Sequence, residues 1–456
     1  MAVGRSRLAR VIGPILIFVG ALLITSAIAG PVYVAGKLTT IPLNLDITTV
    51  ARSEKPADSQ ADAQFPARQL DLCSFNKPKA VVNDVSVTTQ TRTLVTSPSD
   101  KTTMTVQSGM SMVVPSIKTK GEPRHPELTG AAKNERPCDD GLVQAWLDRV
   151  SLDRETGKPT DKISEATYSP GESAPAVKIT GREGLQYRFP AGTKQDGGYS
   201  FFDLVTRKNV GLKFVEEKEV SGTNTLHFQG TQDWVDLSTI RDSSDATLGT
   251  VLTKTAGWWG IEGPGVDAKE DITLNRWAKT AVDLWVDPKS GIIVDQSLHY
   301  TQQFRTPAQV SPNTAKPVRD FHLEVFNAQQ RWVDATVRSQ AEAAKSAQNR
   351  IAIAKYVVPV AGGVLGVIAL GLGAFALLLG RRAAPAAGGR TRGGSYDGAA
   401  PSAPLDDDPT ARYGGDDPTT PLGSDGDPAT EAFSAQPRPD ESRTEAIDFR
   451  NRDDQR

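Results

Sequence analysis

The apolar positions along this chain fall into three regimes: two unbroken runs, a long middle with period two, and a final stretch with almost none. Val11 to Gly36 and Tyr356 to Gly380 contain no charged side chain. At 1.5 Å per residue each run is longer than the roughly 30 Å hydrocarbon core of a bilayer, so both are predicted transmembrane helices. Cations fence them, Arg10 and Lys37 around the first, Lys355 and Arg381-Arg382 around the second. A helix in a soluble core would carry polar residues at helical spacing, and these carry none.

The flanking charges orient the chain. Arg5, Arg7 and Arg10 precede the first run and only Lys37 follows it closely, which predicts a cytoplasmic N-terminus. A second crossing then returns the C-terminus to the cytoplasm. The competing reading is a signal peptide cut after Ala27-Ile28-Ala29, although apolar character continues through Pro31–Gly36 and favours an uncleaved anchor. Gly362-x-x-x-Gly366 and Ala369-x-x-x-Gly373 place small residues where another helix, such as the first span, can approach closely. Glycine is common in such helices, so the alternative is no specific partner.

Between the runs, alternation dominates. Val85, Val87, Thr89, Thr91, Thr93 and Val95 share one face of a predicted strand over 81–95. Residues 281–304 read as a hairpin: Val282, Leu284 and Val286 alternate before the turn, Ile292, Val294, Gln296, Leu298 and Tyr300 after it. Asp287-Pro288-Lys289-Ser290-Gly291 supplies the turn, with proline fixing φ and glycine permitting a positive one. Further strands are predicted at Gln186–Arg188, Tyr199–Asp203, Leu212–Glu216 and Thr225–Gln229. Segments 51–68, 118–135 and 306–318, polar and proline-rich, read as loops. Asn327–Arg350 is rich in Ala, Gln, Arg and Glu and predicts a helix running into the second span. It is either a rigid stalk or a helix packed on its own domain through Trp332, Val333 and Val337.

The predicted fold class is thus membrane-anchored α+β, two transmembrane helices flanking a mainly antiparallel β-sheet domain. The layout is a cytoplasmic N-terminus (1–10), a first span (11–36) and an extracytoplasmic β-rich domain (37–355) with its helical stalk at 327–355. A second span (356–380) and a disordered acidic cytoplasmic tail (381–456) complete it.

Composition sharpens this picture at a few points. The net charge of −2 offers no field for nucleic acid. Cys73 and Cys138 both fall in the translocated middle, where an oxidising compartment favours a disulfide; the alternative is two unrelated thiols. Closing their loop would contribute about 3–4 kcal/mol. His125, His227, His299 and His322 form no metal-ligand spacing, and His227 and His299 fall in strand patterns. No Walker loop, dinucleotide fingerprint or nucleophile elbow occurs, and acidic pairs such as Glu216-Glu217 and Asp139-Asp140 read as solvated surface. No catalytic residue, metal site or cofactor is therefore assigned. Trp258, Trp259, Trp277 and Trp285 cluster in sequence and are a candidate ligand surface; the alternative is a sheet core.

The tail holds Asp407-Asp408-Pro409-Thr410, Asp416-Asp417-Pro418-Thr419-Thr420 and Asp427-Pro428-Ala429-Thr430. Thr410, Thr419, Thr420 and Thr430 are candidate sites for a Ser/Thr kinase, with a phospho-reader domain as partner; the alternative is a solubilising tail.

Three fragments carry a resemblance: Gly184-Leu185-Gln186-Tyr187-Arg188-Phe189-Pro190, Tyr199-Ser200-Phe201-Phe202-Asp203 and Leu284-Trp285-Val286-Asp287-Pro288-Lys289-Ser290-Gly291. With the two-span layout over residues 8–380, they resemble an actinobacterial family of envelope proteins formerly catalogued as a domain of unknown function and now often labelled PorA-family porin. The resemblance implies a plasma-membrane protein of a bacterium, and the label implies a channel. It assigns no site residues. The residues themselves favour a non-enzymatic anchored domain that binds a lipid or cell-wall polymer, since two wholly apolar spans offer no polar stripe for a pore. An extracytoplasmic enzyme is the third class.

Overall fold

The structure, a computed structural model, describes residues 2–56, 59–126, 138, 141–168, 175–240 and 249–382. Helix α1 (Ala2–Thr39) contains the first apolar run. Among the described residues fifteen strands follow. The first seven are β1 (Asp46–Glu54), β2 (Ala67–Leu70), β3 (Val82–Thr96), β4 (Thr103–Ile117), β5 (Leu142–Asp153), β6 (Pro159–Tyr168) and β7 (Val177–Lys178). Next come β8 (Ser200–Asp203), β9 (Lys208–Gly211), β10 (Lys213–Val220) and β11 (Thr223–Asp236). The last four are β12 (Val251–Thr255), β13 (Asp271–Val286), β14 (Ile293–Arg305) and β15 (His322–Trp332), with short helices α2 (Ala256–Trp259) and α3 (Lys316–Arg319) among them. Helix α4 (Asp334–Ala352) passes through a π turn at Ile353–Val357 into α5 (Val358–Arg382).

Among the described residues thirteen strands form one sheet in the order β10-β11-β13-β14-β15-β1-β3-β4-β5-β6-β7, with β12 added to β13. Its ladders are antiparallel throughout. Strand β2 continues the slot that β1 opens between β15 and β3. The first and last strands are therefore neighbours in the middle of the sheet, Ala51 opposite Trp332. Bulges interrupt the ladders, as between Ser86 and Thr88 and between Trp285 and Val286. Such bulges strengthen twist and help a broad sheet curl. The separate hairpin β8–β9 packs Phe202, Leu204 and Val205 against Val87, Met112 and Trp146 on the inner face.

The sequence reading meets the structure in most elements. The 81–95 strand is β3, and the 281–304 hairpin is β13–β14, with Gly291 at φ 74° as its turn requires. Three expectations are corrected. Residues 186–188 are not a strand; only Leu185 makes a bridge, to Phe201. Residues 327–332 belong to β15, because pairing with β14 and β1 overrides their helical propensity, and α4 begins at Asp334. Of the segments read as loops, 51–54 end β1, 67–68 begin β2 and 316–318 lie in α3. Cys73 and Cys138 are disulfide-bonded, their Cα atoms 4.6 Å apart.

Val11–Ala29 and Asp334–Leu378 are long and apolar enough to cross a membrane. They pack against each other through glycine. A Cβ placed on Gly20 would lie 2.7 Å from the Gly366 carbonyl oxygen, and one on Gly373 would lie 2.8 Å from that of Gly13. At the other end Gly362 faces Ala27. The pairing runs antiparallel, and Gly13, Gly20 and Ala27 recur every seven residues, the period of a left-handed seam. The small residues of the second run thus have a partner, and it is the first run. Pro359 has no N–H to offer the carbonyl four residues back, and the turn before it widens to π. The tail, with Thr410, Thr419, Thr420 and Thr430, lies outside the described residues.

Candidate ligand cavity

The inner face of the sheet is filled at its centre by β8–β9 but left open near α4. There a cavity of about 840 Å³ remains. Side-chain alternation decides its lining. Thr89, Thr91 and Thr93 of β3 stand opposite Met112, Met110 and Ser108 of β4, and all six face the cavity. Leu298 and Tyr300 of β14 and Trp332 of β15 extend the wall on one side, Trp146 of β5 on the other. Every methionine of the chain except the first, namely Met104, Met110 and Met112, lines this space. Methionine is unbranched and polarisable, suited to a surface that must accept an irregular apolar body.

Two further segments close the cavity. One is Thr40–Ile47, the stretch immediately after α1; the other is the face of α4 carrying Gln340, Ala343, Ala347 and Arg350. Helix α4 is held on the sheet by Val337, Ala341 and Ala344, which pack with Trp285 and Val294. Its start is tied to β1, where Val333 N–H donates to the Val50 carbonyl at 3.0 Å and Val50 N–H donates to Thr336 Oγ1 at 3.0 Å.

The three sequence fragments quoted above meet beside the cavity, the first two reaching its lining through Gln186, Tyr187, Arg188 and Phe201. Gly184 lies so close to the backbone of Phe201 and Phe202 that a side chain there would collide with it. Phe189 N–H donates to the Gly291 carbonyl at 2.9 Å, and Arg188 donates to the Ser290 carbonyl at 2.8 Å. Gln348 of α4 donates to Asp287 at 2.8 Å, joining the turn to the helix. Gln186, Tyr187 and Arg188 consequently face the cavity.

A buried ion pair fixes this wall. Arg182 donates to both oxygens of Asp148, at 2.8 and 2.6 Å, and also to Gln186, while Tyr187 donates to the same carboxylate. Burial opposes the guanidinium charge, yet Asp148 holds Arg182 above its ordinary value. Burial, reinforced by Asp148, pushes the Tyr187 hydroxyl well above its usual range. Desolvation brings Arg188 down to about 10, with Asp287 opposing.

The tryptophans singled out by sequence lie elsewhere. Trp258 and Trp259 are buried among Leu70, Leu274 and Phe304, their indole N–H groups donating to the carbonyls of Ser74 and Ile272. Trp285 stacks on His227, 4.4 Å between centroids, beneath α4; Trp277 is half-buried on β13. None of the four lines the cavity, whereas Trp146 and Trp332 do. His299 bonds Asn327 across β14 and β15. Sequence reasoning passed over Met104, Met110 and Met112, though their spacing along β4 beside the threonine alternation of β3 was visible.

The Porin PorA family model matches residues 12–375, which take in most of both apolar runs and all that lies between them. The chain belongs to the Porin PorA family. Two relatives named Porin PorA are similar to it over nearly their whole length. The protein of Corynebacterium amycolatum is 24% identical over 405 residues, covering 80% of this chain and 97% of its own. That of Corynebacterium resistens is 25% identical over 428 residues, covering 82% and 98%. All three fragments lie inside the span that the family model matches.

Proposed function

We propose that the chain is a non-enzymatic envelope protein, anchored by two transmembrane helices, whose sheet domain takes an amphiphile from the adjacent membrane surface into its cavity. One observation carries this reading: the cavity is closed by the two segments that continue into the spans, Thr40–Ile47 and the last turns of α4. In this reading the cavity opens beside these segments toward the bilayer, which gives an acyl chain a short path inward. The methionine, leucine and tryptophan lining supplies the apolar surface, and the size falls in the range of cavities that bury a ligand.

Native mass spectrometry of the full chain released from detergent tests it. Lipid retained by the folded protein, and lost when Thr91→Trp fills the cavity, is the expected result. Lipid-free spectra from folded protein would sink the reading.

The printed names of the relatives favour a second reading, a channel. Within one chain the two helices touch backbone to backbone, so no conduit runs between them. A channel therefore requires several copies. Single-channel conductance that scales with oligomer size would support it, and silence from every isolated oligomer would count against it.

A further inference from the structure

The charges of the cavity wall are unevenly matched. Arg154, Arg188 and Arg350 all reach its lining. Arg154 donates to the carbonyls of Ile41, Asp100 and Lys101, Arg188 to that of Ser290, and Arg350 to the hydroxyl of Ser346. Among the described residues none of the three is ion-paired to a carboxylate. Asp287, which faces Arg188 most nearly, is occupied by Ser290 and Gln348. Two carboxylates do reach the lining, Asp46 and Glu342. Arg92 holds Asp46 through two bonds, at 3.0 and 2.8 Å, and Glu342 is exposed on α4.

Carbonyl acceptors orient a guanidinium without neutralising it. Among the described residues each arginine keeps N–H groups free for a carboxylate or phosphate, whose paired oxygens a guanidinium can bind through two parallel bonds. Thr91 and Thr93 add neutral donors on the facing strand. From this charge imbalance we infer that the cavity selects anionic amphiphiles, its arginines binding a phosphate or carboxylate head while the methionine-lined wall takes the acyl chains. This rests on the amphiphile reading above and adds a headgroup class to it. A zwitterionic lipid would bring a cation into the same positive surroundings and bind less well.

Tryptophan fluorescence of the full chain in nonionic detergent provides the test, because neither apolar run contains tryptophan. Three probes with brominated acyl chains quench rings they touch: dibromostearoyl phosphatidylglycerol, dibromostearoyl phosphatidylcholine and dibromostearate. Trp146 and Trp332 report the cavity, and Trp146→Phe with Trp332→Phe removes its signal. Phosphatidylglycerol or stearate should quench at a concentration at least about tenfold lower than phosphatidylcholine, the scale of one charge-assisted contact. A preference for the first alone identifies a phosphodiester head, for the second alone a carboxylate.

Arg188→Gln should reduce the preference to within about twofold, with Arg188→Lys keeping most of it. Arg350→Gln is the second variant, since Arg350 is exposed and its loss cannot unfold the sheet. Equal quenching by all three probes would overturn the anion inference while leaving the amphiphile reading intact. So would a preference that survives both glutamine variants. Cavity tryptophans untouched by every probe would overturn the amphiphile reading itself.

Discussion

Arg182 and Asp148 are the residues on which the cavity wall depends most directly. Both are buried, and removing one strands the charge of the other, a loss of about 3–5 kcal/mol. Arg182→Met should therefore lower the urea midpoint of the full chain more than any surface arginine, Arg92→Met serving as the control. At the turn, Gly291→Ala is expected to cost at least about 1–3 kcal/mol, because φ is 74° and the added methyl meets the Phe189 carbonyl. Asp295 gives a pH signature. Burial raises its carboxyl above the usual value of 3.8, with Arg331 opposing at 2.6 Å. A carboxyl raised in the folded state is protonated more readily there than in the unfolded chain. Stability from this group is thus greatest in acid and declines as pH rises from 3.8 through the raised folded value. Asp295→Asn should flatten that part of the curve in urea titrations, and an unchanged slope would refute the assignment. Gly291 was legible in the sequence because turn chemistry is local. Arg182 was not, since its partner lies 34 residues earlier.

At the level of elements, the helical hairpin is the most sharply constrained. Gly366→Leu cannot be accommodated against Gly20, so it should separate the two helices. The pair Ala27→Cys with Gly362→Cys should crosslink readily in the otherwise unchanged chain and severalfold less in this variant, read by gel mobility. The strands show how far periodicity reaches. β3 announced itself because Val85 through Thr93 alternate and one face is buried. β15 did not, because Asn327–Arg331 carry helix-forming side chains and the ladders to β14, β1 and β2 hold them extended. The tryptophans of 258–285 looked like one group on paper, but α2 and β13 deliver them to separate clusters. What the one-dimensional pattern lacked was the strand order of the sheet, which brings Met110, Leu298 and Trp332 around one space.

For the whole molecule, the disulfide closes a loop of 65 residues around β3 and β4. Its reduction should cost about 3–4 kcal/mol and lower the unfolding midpoint accordingly. The neighbouring placement of β1 and β15 reaches further. Val50 and Thr336 are hydrogen-bonded across 286 residues, so the central ladder cannot close until almost the whole domain has been made. Contacts of such sequence separation slow folding, because the intervening chain must be ordered first. Until then β1 has only β3 to lean on, and its other edge is open. The last strand of the domain to be made is thus the one that seals its centre, and it is completed only just before α4 begins.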